Sequence, residues 1–169
     1  AMADEGDFEV PAPTASPGSG WSRQIIATTA GDLASWRRGG QGRLRVLLHA
    51  PGTRPATPAQ LEAGTEAWLL PDLPGHGASS EIEVELDLAT LVSAVLAAIR
   101  AQALALPIVL ETHGAAAAYV PALVAALGAR VVEVIVHSPW LLDADEQALL
   151  LQGLPTTVID RAGGYLCDA

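Results

Sequence analysis

Four short apolar runs, each ending in a loop rich in Gly, Pro or His, constrain this chain more than any other feature. They are "RVLLHAPG", "AWLLPDLPGHGASS", "IVLETHGA" and "VVEVIVHSPW". Such runs, with little polar alternation, read as strands buried on both faces. Val46 to Leu48 and Ile108 to Glu111 are the most compact of them. Between the second and third runs lies the clearest helix, Asp87 to Ala103. There Leu88, Leu91, Val92, Val95, Leu96 and Ile99 recur at helical spacing, and Asp87 is placed to cap. A second helix is expected from Ala115 to Leu127, closed by Gly128, and Pro121 predicts a kink or a late start. Strand and helix in alternation mean βαβ crossovers. The fold class is therefore α/β, with a mostly parallel sheet and helices on both faces.

The flanks are read from weaker signals. "WSRQIIATTAGDLASWRRGG" offers strand-like runs around Ile25 and Ser35, and Ala30-Gly31-Asp32 between them predicts a hairpin. Thr57-Pro58-Ala59-Gln60 has the form of a capping box with Pro at the first helical position. Residues 1–20, rich in Pro, Gly, Ser and acid, read as a flexible arm. The core is expected over 21–140. Residues 141–169 read as a helical segment, with a helix from Asp143 to about Leu151 and no clear assignment after it.

Composition narrows the function classes. The formal charge is -10, from 19 acidic and 9 basic residues, and every basic residue is Arg. An acidic, Lys-free surface argues against nucleic acid and anionic membrane as partners. No apolar run approaches the ~18 residues a membrane helix needs. The only cysteine, Cys167, has no intrachain partner, which is compatible with a reducing cytoplasm. A cytoplasmic protein acting on a small molecule, without a cofactor, is the expectation.

In open α/β sheets, ligands bind beyond the carboxyl ends of the strands. The loops there hold His49 and Gly52, then Asp72 to Ser79 with His76, then Thr112 to Ala115, then His137 to Trp140. All four histidines would converge at one end of the sheet. His49 and His137 read equally well as polar residues closing a strand, and His76 reads first as a turn residue. No two His stand at i, i+4 ligand spacing and no CxxC is present, so no metal site is expected. Neither GxGxxG nor GxxxxGK[ST] is present to cradle a phosphate.

These segments, in this order, resemble the N-terminal half of an α/β-hydrolase-fold protein over about residues 22 to 140. "DLPGHGAS" resembles the family's DxPGxGxS segment, and "IVLETHGAAAA" occupies the place of its nucleophile elbow. The resemblance implies hydrolysis of a small ester or related carbon–heteroatom bond. It also implies an oxyanion hole served by Ala50 or Gly52, since Pro51 lacks an N–H. Two elbow registers are open. Thr112 as nucleophile puts Gly114 two residues on, and His113 puts Ala115 there. The elbow imposes positive φ on its tip, a milder strain for His than for β-branched Thr, so His113 is the preferred tip. With Thr112 and His113 as candidate catalytic residues, His49, Ala50, Gly52, His76, Gly114, His137 and Trp140 would line the pocket.

The competing reading is a hydrolase-like pseudoenzyme acting as a binding or interaction module. In the family the acid and the His follow the nucleophile, but no His follows position 137 here. A fold truncated after its sixth strand is expected on this basis. Its exposed edge would call for a homo-oligomer or a complementing chain.

Overall fold

The strand runs pair side by side because β-branched and leucine side chains fill both faces of a pleated sheet while their backbones exchange hydrogen bonds. The computed structural model describes residues 20–61, 64–82, 86–102, 105–137 and 155–159. Seven strands form one sheet: β1 (Trp21–Thr28), β2 (Gly31–Arg38), β3 (Leu44–Leu48), β4 (Ala67–Pro71), β5 (Ile108–His113), β6 (Val131–His137) and β7 (Thr156–Ile159). Their order across the sheet is β1-β2-β4-β3-β5-β6-β7. The β1–β2 hairpin and the β2–β4 pair are antiparallel, and every pair from β4 to β7 is parallel. The hairpin turns one residue earlier than the sequence suggests, with Thr28 opposite Gly31.

Two helices cross the sheet. Helix α1 (Leu88–Arg100) begins where Asp87 accepts a hydrogen bond from the Thr90 amide at 2.8 Å. The chain leaves β5 through a 3-10 segment, Gly114–Tyr119, before α2 (Val120–Leu127) begins, with Pro121 in its first turn. Proline there needs no amide partner, so the helix starts late rather than kinking. Val92, Val95, Ala98 and Ile99 of α1 and Val120 and Leu123 of α2 share one buried core with Val46, Leu48, Leu69, Leu110 and Val134 of the sheet. Among the described residues both helices therefore cover the same face.

The opposite face carries a smaller cluster of Trp36, Leu47, Ala56, Trp68 and Leu70. The Thr57 capping box forms, but it opens only a 3-10 turn, Pro58–Gln60. The arm over residues 1–19 and the helix expected from Asp143 to about Leu151 lie outside the described residues, as do Trp140 and Cys167.

The expectation that the sheet ends at its sixth strand is corrected here. Thr156–Ile159 pairs parallel with Val134–His137, so β6 is not an edge over those residues. "TTVI" is β-branched throughout, which suits a strand. At four residues it is too short to announce itself by periodicity. A partner chain on the β6 edge is not required there, because β7 already takes the β6 hydrogen bonds.

Candidate functional site

The carboxyl ends of β3, β4, β5 and β6 deliver their loops to one end of the sheet, on either side of β3, where the order of connection reverses. Histidines from these four loops meet in two pairs. His49 and His76 lie edge to face with ring centroids 5.0 Å apart. His113 and His137 occupy opposite positions of the β5–β6 ladder. Their rings stack at 4.1 Å with planes 5° apart.

The first pair ties loops together. His49 Nε2 accepts from the Leu73 amide at 3.0 Å, so its Nδ1 carries the proton and donates to the Ala50 carbonyl at 3.0 Å. Burial holds this imidazole down to about 4, with the nearby His76 pushing the same way and the Ala50 bond opposing. His76 repeats the arrangement: Nε2 accepts from the Gly52 amide at 2.7 Å and Nδ1 donates to the Pro74 carbonyl at 3.0 Å. The Gly52 amide is thereby engaged, and of the two oxyanion donors expected from the sequence this one already has a partner.

The "DLPGHGAS" loop owes its composition to Asp72. That buried carboxylate accepts from the Ala78 amide at 2.9 Å and pairs with Arg23. A Cβ on Gly77 would overlap Asp72 Oδ2, and Gly77 also sits at φ +52°. Ser79 closes the loop, donating to the Asp72 carbonyl and accepting from the Ala34 amide.

At the end of β5 the chain turns sharply, and the turn corrects the expected elbow. His113 is extended, at φ -122° and ψ 135°. Positive φ falls on the next residue, Gly114, at +54°. Neither Thr112 nor His113 stands at the tip. The reason is steric: an L side chain at that φ is costly, and a glycine one residue on takes the strain without cost. A Cβ built on Gly114 would also meet the Ala50 Cβ at 3.1 Å. Thr112 is fully buried and shares the helix-covered face with its ladder partners Leu48 and Val136. Its hydroxyl has no hydrogen-bond partner among the described residues.

Alternation along β5 sends Glu111 and His113 to the other face. Glu111 Oε2 accepts from His137 Nε2 at 2.7 Å, and Oε1 accepts from Arg45 at 2.7 Å. Arg45 in turn lies over the Trp68 ring at 4.6 Å and reaches Glu66 at 3.5 Å. Glu66 and Glu133 are bridged by Arg43, so an alternating row of charges crosses this face into the buried pair. Glu111 is 3% exposed, His113 0% and His137 6%. Burial and the neighbouring His137 hold His113 down to about 4, against the pull of Glu111.

One donor atom from each of Glu111, His113 and His137 lies within 4.8 Å of the other two. The sequence did not anticipate this set. The spacing searched for was helical, whereas these groups come from i and i+2 of one strand and a register partner on the next. An acid inside the apolar run "IVLE" was the available signal. Of the expected pocket residues, His49, Ala50, Gly52, His76 and Gly114 converge around the β3, β4 and β5 loops, and His113 and His137 form the second cluster. Trp140 lies outside the described residues.

No family model and no curated protein matches the sequence. Solved structures do match. The Cif epoxide hydrolase from Acinetobacter nosocomialis superposes with a TM-score of 0.60 at 21% identity, covering 73% of this chain and 39% of its own. The haloalkane dehalogenase DatA from Agrobacterium tumefaciens C58 gives 0.57 at 22% identity, covering 71% and 42%. A thermophilic esterase from Thermogutta terrifontis gives 0.57 at 22%, covering 69% and 45%. This chain has the α/β-hydrolase fold. It spans roughly two-fifths of the length of these relatives. In α/β-hydrolases the turn between the elbow strand and its helix presents the nucleophile. The same turn of this α/β-hydrolase fold presents a glycine.

Proposed function

We propose that this chain uses the α/β-hydrolase fold to bind rather than to hydrolyse. The observation that carries this reading is Gly114, which occupies the positive-φ position of the elbow and brings no side chain to it. Two further features support it. The Gly52 amide is held by His76, and His113 is buried against His137 and so poorly placed as a base toward substrate. The ligand of such a module sits at the carboxyl ends of β3 to β6, where the four loops gather their polar groups. The alternative reading, hydrolysis of a small ester, draws on the activities named for the matching structures, an epoxide hydrolase and an esterase among them.

A p-nitrophenyl acetate assay with enough protein to detect slow turnover separates the two. Binding without hydrolysis predicts a rate equal to that of buffer plus an inert protein at the same concentration. It also predicts no gain in Gly114→Ser, because a hydroxyl alone lacks a base. Saturable turnover that His113→Ala abolishes would overturn the proposal.

A further inference from the structure

We infer that Glu111, His113 and His137 form a binding site for one divalent transition-metal ion of the zinc type. Such a site is independent of whether the chain hydrolyses esters. Three observations carry it. First, the donor set is two imidazoles and one carboxylate, with donor atoms within 4.8 Å of one another. That set matches the chemistry that prefers Zn²⁺, Fe²⁺ or Co²⁺ over the all-oxygen shells of Ca²⁺ and Mg²⁺.

Second, the groups are fixed by the sheet. Glu111 and His113 project from the same face of β5, and His137 lies directly across from His113 on β6. Glu111 Oε2 and His137 Nε2 are hydrogen-bonded at 2.7 Å, so a small outward shift to the ~3.3 Å between two ligands of a tetrahedral ion would bring both onto one cation. At present a proton bridges them. Arg45 holds the other carboxylate oxygen, leaving Oε2 aimed at the imidazoles, as an outer partner of a ligating carboxylate does. The stacked imidazoles need one ring to tilt about its Cβ–Cγ bond to share an ion, and that torsion has a broad minimum.

Third, the placement is expensive without a ligand. An acid and two imidazoles are nearly sealed beside the ladder partners Leu47 and Ile135, with Arg45 on one carboxylate oxygen, and burying such groups carries a desolvation cost that a shared cation would offset. Apolar side chains would pack there without that penalty. Three protein ligands would leave one tetrahedral position for water or an exogenous ligand.

The test uses the untagged full chain, stripped with chelator and titrated with Zn²⁺ by calorimetry and with Co²⁺ by visible absorption. The expected result is one ion per chain and a Co²⁺ spectrum of low coordination number. Zn²⁺ should raise Tm. Glu111→Gln and His137→Gln should each weaken binding by at least about tenfold. Zinc-edge X-ray absorption of the wild type keeps the inference testable should the variants fail to fold: two imidazoles in the first shell are expected. A folded wild type that shows no saturable binding overturns it. So does a first shell without imidazole, or affinity unchanged in both variants when circular dichroism shows them folded.

Discussion

His49 and His76 meet edge to face at 5.0 Å, whereas His113 and His137 stack at 4.1 Å with nearly parallel rings. In the first pair all four ring nitrogens serve backbone groups of the β3 and β4 loops. In the second, a ring nitrogen faces a buried carboxylate that an arginine also holds. The same side chain thus fixes loops at one place and builds a charged cluster at the other. What separates them is the partner. Backbone carbonyls and amides demand a neutral imidazole in one tautomer, whereas a carboxylate can accept from imidazole or share a cation with it.

Breaking the second cluster has the largest expected effect. Glu111→Leu removes the carboxylate that Arg45 and His137 share. Loss of one partner from a buried ion pair costs about 3–5 kcal/mol, and the lower end applies because Arg45 keeps solvent contact and Glu66 as a second partner. Urea denaturation measures it. A loss under about 1 kcal/mol would place the cluster with exposed ion pairs, which contribute little.

Acid tests the two pairs together, because each contains an imidazole held at about 4 against an ordinary 6.5. Between those values the unfolded chain binds protons that the folded chain refuses. Stability is therefore complete above about pH 6.5 and falls as pH drops toward 4. His49 alone contributes on the order of 3 kcal/mol to that fall. His49→Gln should flatten part of the pH dependence of urea midpoints, leaving the part due to His113. An unchanged slope would mean that His49 is not held neutral by burial.

Gly114 sharpens the comparison from the side of the turn between the pairs. Gly114→Ala must place a side chain at φ +54° and within 3.1 Å of the Ala50 Cβ. The expected cost is about 1–2 kcal/mol. Ala50→Gly in the same chain should return the contact part and leave the backbone part, since neighbouring sites couple. Full additivity in the denaturation midpoints would show that the contact carries no cost.

How much of this was readable beforehand follows from the same physics. The β3, β4, β5 and β6 runs are long enough and apolar enough to declare a parallel sheet, and α1 shows both its stripe and its cap. β7 is four residues and has no alternation to find. The "DLPGHGAS" loop was legible because glycine positions and an acid are imposed by backbone shape. The elbow was not. In "THGAAAA" nearly every residue is small, so several registers fit, and only the φ of Gly114 separates them. Glu111 was visible as an acid in an apolar strand, but its partners lie on other strands, at separations that no local spacing records.

The smallest effect is expected at His76, and its size is informative. His76→Ala removes the acceptor of the Gly52 amide and the donor to the Pro74 carbonyl. Gly52 is exposed and His76 only half-buried, so water can replace both bonds. A net loss of about 1 kcal/mol is expected, the usual worth of a hydrogen bond exchanged for water. His49→Ala should cost more, because His49 is fully buried and the buried Leu73 amide would lose its acceptor. Amide exchange at Gly52 should accelerate in His76→Ala while exchange in β3 and β5 stays slow, marking a local release of the loop. Equal losses for His49→Ala and His76→Ala would mean that burial does not set the difference between the two rings. The loop-fixing pair would then have to be treated as one cooperative unit.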